Sequence, residues 1–230
     1  MLKTPIVSRR TVAAAGGLLF ATAAAPSLPI LLPGPAFAQR REAAAEVPVA
    51  ELMKPSDLPE LAVGPADAKV TIVEYASMTC GHCATFHNKV YPELKAKYVD
   101  TGKVRFVFRE FPLDNLAAAA SMLARCAGDS KGSGLISVLF AKQDDWAFVR
   151  TSPVPKLFEI AKQAGFTQES FDKCLTDQAL LERIIAGRTR AADVFGVNST
   201  PTFFINGKRL IGGNSLSDFD KVIEPLLKNA

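Results

Sequence analysis

Apolar residues recur along the chain with two different periods, and these periods predict the order of strands and helices. Residues 70–75 are rich in β-branched and aromatic side chains, which indicates a strand. Between residues 84 and 99 the apolar positions recur every four residues, which is typical of one helix face, and Pro92 should kink that helix. Residues 103–111 alternate between apolar and polar, which predicts a second strand. These elements form a β-α-β unit, and we expect its strands to be parallel with a right-handed crossover.

The pattern changes after Pro112. Residues 113–195 have apolar positions at helical spacing, so we expect this part to be all-helical. Strand signals return at residues 202–205, and Asn206-Gly207 is a typical two-residue hairpin turn before a partner strand at 208–211. The last apolar positions lie on one face of a C-terminal helix. The sequence therefore predicts an α/β domain with an inserted all-helical subdomain at about 113–195.

The first 38 residues have the composition of an export signal. Arg9 and Arg10 precede an uncharged, alanine-rich stretch that ends in the cleavage pattern Ala36-Phe37-Ala38. Prolines within this stretch argue against an uncleaved membrane-spanning helix. The paired arginines resemble a twin-arginine signal, and a Sec signal is the alternative. We expect cleavage near Ala38 and a periplasmic location, where disulfides persist.

Residues 39–58 are polar and weakly patterned, so we expect a flexible N-terminal arm before a folded domain at 59–230. Because Val47, Val49, Leu52 and Met53 are apolar, an oligomerisation arm is the alternative. A short edge strand at Leu61–Val63 should begin the domain.

The charge of the chain gives no sign of a nucleic-acid partner. The formal net charge is +4 at pH 7, and Lys3, Arg9 and Arg10 lie in the predicted leader, which contains no acidic residue. The mature chain is therefore almost neutral, unlike a nucleic-acid-binding domain. A hydrophobic content of 48% in 230 residues is enough for a substantial core.

The sequence Cys80-Gly81-His82-Cys83 lies at the predicted strand-to-helix junction. The free N–H groups at a helix N-terminus favour a thiolate there, and Cys-x-x-Cys in this position predicts a dithiol redox site. His82 can donate a hydrogen bond to the Cys80 thiolate or place a positive charge beside it. A metal site of Cys80, Cys83 and His87 is the alternative, although structural zinc needs four ligands. We interpret His87 itself as a solvated helix residue.

Two further cysteines, Cys126 and Cys174, lie within the predicted helical subdomain. In an oxidising compartment we expect them to form a structural disulfide. By the chain-entropy model, closing a loop of about 48 residues stabilises the fold by about 4 kcal/mol. Two buried free thiols are the alternative.

Three segments resemble one known family. They are V-E-Y-A-S-M-T-C-G-H-C, F-R-E-F-P-L-D and G-V-N-S-T-P-T-F-F-I-N-G. In this order and spacing, from about residue 61 to the C-terminus, the chain resembles the DsbA family of periplasmic thiol–disulfide oxidoreductases. The resemblance implies a thioredoxin fold with the helical insertion and no cofactor. It also implies exported protein substrates with free cysteines and a membrane-bound redox partner.

The same resemblance implies roles for individual residues. Cys80 corresponds to the exposed nucleophilic cysteine, and Cys83 to the buried resolving one. Pro201 corresponds to the family's cis-proline, which presents the backbone of Thr200 to a bound peptide as an added strand. Glu74 corresponds to a buried acid beneath the cysteines that helps to move protons from Cys83.

The dipeptide between the cysteines leaves the direction of the reaction open. The strongest oxidases of the family have Pro-His there, whereas Gly81-His82 is the dipeptide of protein disulfide isomerase. Their reduction potentials are about −120 mV and about −180 mV. We expect an oxidase that introduces disulfides into exported proteins, with an isomerase or reductase as the enzymatic alternative. An envelope protein that binds a soft metal through Cys80 and Cys83 is an alternative of another class, and a small-molecule isomerase on this fold is a third.

Overall fold

The computed structural model describes residues 45–228, apart from the side chains at 129 and 130. The export signal predicted at 1–38 and the first part of the predicted arm lie outside these residues. Within residues 45–228, no helix has the length and apolar character that a membrane crossing requires.

A five-stranded sheet with the order β1-β3-β2-β4-β5 lies at the centre of the described residues. The strands are β1 (Leu61–Val63), β2 (Val70–Ala76), β3 (Val104–Glu110), β4 (Thr202–Ile205) and β5 (Lys208–Leu210). β2 and β3 are parallel and the other pairs are antiparallel, which confirms the predicted β-α-β unit and hairpin. β2 is covered on both faces, and accordingly its sequence is almost continuously apolar.

Residues 45–53 pack against this sheet. The N–H of Val47 donates to the carbonyl of Gly207, and the N–H of Arg209 donates to the carbonyl of Ala45, so the segment extends the sheet beyond β5. A short helix, α1 (Val49–Leu52), follows, and Val47 and Leu52 are buried in one core cluster with Ala191 and Phe195. The flexible arm predicted at 39–58 is therefore wrong for this part, because Val47 and Leu52 are buried and the backbone is hydrogen-bonded.

The connection from β2 to β3 runs through α2 (Gly81–Lys89), α3 (Tyr91–Leu94) and a π-helical turn (Lys95–Val99). The sequence predicts a kink at Pro92, whereas the helix is divided just before it: α2 ends at Lys89, and Pro92 lies in the first turn of α3. In a first turn the missing N–H of proline removes no helical hydrogen bond. The apolar face of this connection packs against the sheet together with α10 (Leu216–Lys228).

The chain between β3 and β4 is helical, as the apolar periodicity predicts for 113–195. Its helices are α4 (Asn115–Cys126), α5 (Asp129–Ala141), α6 (Gln143–Trp146), α7 (Val154–Gln163), α8 (Gln168–Leu175) and α9 (Gln178–Phe195). Three of these helices begin at a residue whose side chain accepts a backbone N–H of the first turn. These N-caps are Asp114 for α4, Thr167 for α8 and Asp177 for α9. Cys126 and Cys174 are joined in a disulfide between α4 and α8, with their Cα atoms 6.1 Å apart.

Candidate active site

The two cysteines of the Cys-x-x-Cys sequence lie where β2 passes into α2. Cys80 is the N-cap of α2, and its carbonyl accepts the N–H of Ala84 in the first turn. The side chain of Cys80 reaches the surface with 9% of its area exposed, whereas Cys83 is fully buried. Both are free thiols, so the structure shows the reduced site. The geometry is that of one accessible and one protected sulfur.

The surroundings of the two sulfurs move their pKa values in opposite directions. The hydrogen bond from the Cys83 thiol lowers the pKa of Cys80 to about 5, and Thr200 and the N–H groups of Cys83 and His82 act in the same sense. These donors outweigh burial, which acts against the thiolate. Burial raises the pKa of Cys83 far above its usual value, and the charges of Cys80 and Glu74 add to this. At neutral pH the reduced pair therefore holds a thiolate at Cys80 and a thiol at Cys83.

The loop before β4 faces Cys80. The peptide bond between Thr200 and Pro201 is cis, and the Sγ of Cys80 lies 3.3 Å from the carbonyl oxygen of Thr200. The hydroxyl of Thr200 is buried and has no hydrogen-bond partner among the described residues. The protonated thiol donates to the carbonyl, and the thiolate can accept from the hydroxyl instead. Thr200 therefore has a suitable group for each protonation state of Cys80.

The histidine between the cysteines is exposed, and it acts on Cys80 through its backbone. The N–H of His82, at the start of α2, is one of the groups that lower the pKa of Cys80. The sequence alone indicates a role for the imidazole ring, and that role stays a prediction.

Glu74 and His87 form a buried pair between β2 and α2. The Nε2 of His87 lies 2.8 Å from Oε2 of Glu74, and 7% of His87 and none of Glu74 is exposed. The interpretation of His87 as a solvated residue is therefore wrong. His87 follows Cys83 by one helical turn, so both lie on the face of α2 that packs on the sheet. The alternative metal site is not assembled either: among residues 45–228 no group of three or more His, Cys, Asp or Glu side chains could hold a metal ion.

Gln143 is a site residue that the sequence does not reveal. It lies at the start of α6, and its buried Nε2 donates to the carbonyls of Met78 (2.8 Å) and Cys80 (3.1 Å). The helical insertion therefore holds the backbone on both sides of Thr79. Nothing in the sequence around Gln143 distinguishes it from a surface glutamine, because its partners are more than sixty residues away.

A second link joins the insertion to the cysteine loop. The hydroxyl of Thr79 donates to Oδ2 of Asp114 at 2.7 Å, and Oδ1 of the same carboxylate caps α4 by accepting the N–H of Ala117 at 2.7 Å. Asp114 is recognisable in the sequence as a candidate helix cap. Its contact with the residue before Cys80 depends on the fold.

Most of this chain is similar in sequence to known proteins. Residues 56–225 match the family model described as Thioredoxin. A protein of Rickettsia bellii with the provisional name protein-disulfide oxidoreductase is 37% identical over 196 residues, which are 83% of this chain and 74% of that protein. A Rickettsia conorii protein of the same provisional name is 32% identical over 170 residues, or 74% of this chain and 61% of that protein.

Among solved structures, Wolbachia pipientis alpha-DsbA1 is similar to this chain with a TM-score of 0.73 and 31% identity. The match covers 79% of this chain and 96% of the alpha-DsbA1 chain.

Proposed function

The chain belongs to the thioredoxin family, as one of its DsbA-like protein-disulfide oxidoreductases, and we propose that it introduces disulfides into exported proteins through the Cys80–Cys83 pair. The observation that carries the proposal is the opposite displacement of the two cysteine pKa values. The pKa of Cys80 is about 5, which lies between about 7 in thioredoxin and about 3.5 in DsbA. A stabilised Cys80 thiolate favours the reduced protein, and this makes the oxidised protein an oxidant.

The reaction begins with the oxidised site. A substrate thiolate attacks the Sγ of Cys80, a new disulfide forms between substrate and Cys80, and the electron pair of the broken bond goes to Cys83. Because Cys83 is buried, its sulfur takes up a proton. A second substrate thiolate then attacks the substrate sulfur of the mixed disulfide, and Cys80 leaves as a thiolate. The substrate is oxidised by two electrons and the cysteine pair is reduced.

We place the substrate against the loop that carries the cis-proline. The carbonyl of Thr200 faces Cys80 at 3.3 Å, which is the position that an added peptide strand needs in order to bring its cysteine to Cys80. His82, exposed at the same edge, adds a donor or a positive charge when Cys80 becomes a thiolate.

The predicted leader supports export to the periplasm, where a membrane-bound partner would reoxidise the Cys80–Cys83 pair. An oxidising compartment is also where a structural disulfide such as Cys126–Cys174 persists.

The deciding experiment is the equilibrium reduction potential of the Cys80–Cys83 pair in glutathione buffers. A value near −120 mV supports the oxidase, and a value near −180 mV or below indicates an isomerase or reductase. A Cys126→Ala/Cys174→Ala variant is the control that assigns the measured couple to Cys80 and Cys83. Failure to form a reversible disulfide would exclude the redox function.

Replacement of each active cysteine separates their roles. Cys80→Ser should abolish thiol–disulfide exchange, because no accessible sulfur is left. Cys83→Ala should accumulate a mixed disulfide between Cys80 and a thiol substrate, since the resolving sulfur is missing. If no such species is detected by mass spectrometry, the assignment of Cys83 is wrong.

A further inference from the structure

His87 is a buried titratable residue that the mechanism above does not use. Glu74 stands on β2 between Ile72 and Ala76, which point to the same face because side chains alternate along a strand. Ala76 packs in one core with Cys83, and Ile72 packs in the neighbouring core with Phe86 of α2. The side chain of Glu74 is therefore on the face of β2 that packs against the part of α2 containing Cys83 and His87.

Aromatic rings fix the orientation of the imidazole. The ring of His87 stacks on Phe140 of α5 with centroids 4.3 Å apart and an interplanar angle of 18°. Phe86 and Phe108 contact it edge-on, at 5.2 and 6.1 Å, and Tyr91 of α3 packs against it at 5.2 Å. Within this apolar enclosure, Nε2 of His87 is directed at Oε2 of Glu74.

The remaining polar atoms of the pair have no hydrogen-bond partners among residues 45–228. These atoms are Oε1 of Glu74 and Nδ1 of His87. An unpaired buried N–H is rarer than an unpaired acceptor, so the favoured arrangement has the proton on Nε2 and none on Nδ1. In this tautomer Nε2–H of His87 donates to Oε2 of Glu74. Oε1 then keeps its full capacity to accept a proton.

Few other ionisable groups face this pair. Cys83 does so from α2, and the charge of Glu74 contributes to the raised pKa of Cys83. From α3 the phenol of Tyr91 does so, and burial together with the same charge raises the pKa of Tyr91. β3 and α5 contribute the rings of Phe108 and Phe140 to this contact, and the carboxylate of Glu110 of β3 is paired with Arg125. The thiol of Cys83 is therefore the natural proton donor to Glu74.

We propose that His87 is the positioning residue for proton transfer at Cys83: it holds Glu74 through Nε2 and leaves Oε1 to take and return the proton of the thiol. The inference rests on the proposed function. When the site closes, the proton of Cys83 passes to Oε1 of Glu74, and the Cys83 sulfur attacks the Sγ of Cys80 in the mixed disulfide. The Cys83–Cys80 bond forms, and the outgoing thiolate takes the electron pair. When a substrate thiolate opens the disulfide, the same proton returns to Cys83.

The test follows the closure step directly. Reduced protein is mixed with oxidised glutathione and quenched with acid at intervals, and mass spectrometry measures the decay of the Cys80–glutathione mixed disulfide across pH 5–9. His87→Phe keeps the ring shape but cannot donate to Glu74. Without that donor, nothing in the aromatic enclosure holds the carboxylate of Glu74 in the orientation that leaves Oε1 for the Cys83 proton. We expect closure near pH 7 to slow by on the order of 100-fold, the lower end of what a positioned base contributes.

Companion variants separate positioning from packing. His87→Gln can still donate to Glu74 and should restore closure close to the wild-type rate and pH profile. Glu74→Gln should slow closure as His87→Phe does, and the double variant should be no slower than Glu74→Gln alone, because both changes remove one function. Tyr91→Phe alters the same aromatic enclosure and should leave the rate unchanged. If His87→Phe does not fold, His87→Leu carries the same test.

The outcomes discriminate between the two proposals. Wild-type protein that forms no mixed disulfide at Cys80 contradicts the proposed function. Wild-type protein that closes normally, with a His87→Phe variant that closes equally fast at every pH, overturns only the role of His87. The role of His87 is also overturned if the double variant closes more slowly than Glu74→Gln by the full factor that His87→Phe causes alone.

Discussion

Replacing Gln143 by leucine tests whether the helical insertion holds the cysteine loop. Leucine keeps a side chain branched at a similar distance from the backbone, and the change removes both N–H donors of the amide. The carbonyl of Cys80 still accepts the N–H of Ala84, whereas the carbonyl of Met78 has no second partner within residues 45–228. One buried carbonyl is thus left unpaired, and this costs about 1–3 kcal/mol.

The assay is urea unfolding of the reduced protein, with fluorescence of the single tryptophan, Trp146, as the signal. Gln143→Leu should lower the free energy of unfolding by about 1–3 kcal/mol without changing the m-value. Gln168→Leu is the matched control, since Gln168 makes one exposed hydrogen bond to Asp172. Such a surface change should stay within about 0.5 kcal/mol.

The same pair of variants also decides whether Gln143 distinguishes the two redox states. If the loss in stability differs between reduced and oxidised protein, the difference appears as a shift of the reduction potential, about 30 mV for each 1.4 kcal/mol. Gln143→Leu and Gln168→Leu proteins of equal stability would refute the reasoning that the two carbonyls depend on this amide.

Three further predictions concern the sulfur atoms. Thr200→Val should raise the pKa of Cys80 above about 5, because the hydroxyl that stabilises the thiolate is lost; an unchanged thiolate absorbance titration would contradict this. Removing the Cys126–Cys174 disulfide by a double alanine variant should lower the free energy of unfolding by about 4 kcal/mol in denaturant titrations. The same variant should keep the Cys80 titration of the wild type. The lowered pKa of Cys80 means that its thiolate stabilises the reduced protein. This stabilisation is fully present above the ordinary thiol pKa of about 8.5 and is lost as the pH falls through about 5. Below pH 5, reduction of the disulfide takes up two protons, and the reduction potential should fall by about 59 mV per pH unit. Above pH 5 only Cys83 takes up a proton, and the potential should fall by about 30 mV per pH unit. A single slope across pH 4–8 would show that Cys80 does not titrate in this range.

Much of the fold follows from local signals in the sequence. The β-branched run of β2, the apolar period of four in α2 and the Asn206-Gly207 turn each predict an element that the structure contains. The Cys-x-x-Cys sequence at a strand-to-helix junction likewise indicates the redox site. These predictions succeed because strand alternation, helical periodicity, turn geometry and a helix N-terminus depend on residues close together in the chain.

The tertiary structure decided which polar residues belong to the site. His87 follows a helical period that fits either a buried or a solvated face, and only the carboxylate of Glu74 on the neighbouring strand makes its burial favourable. Gln143 is placed in the site by the carbonyls of Met78 and Cys80, which accept its amide, and Val47 is held against the sheet because the carbonyl of Gly207, in the turn before β5, accepts its N–H. In each case the partner is distant in sequence. A buried polar group is stable only where such a partner is supplied, and the packing of the whole domain determines that supply.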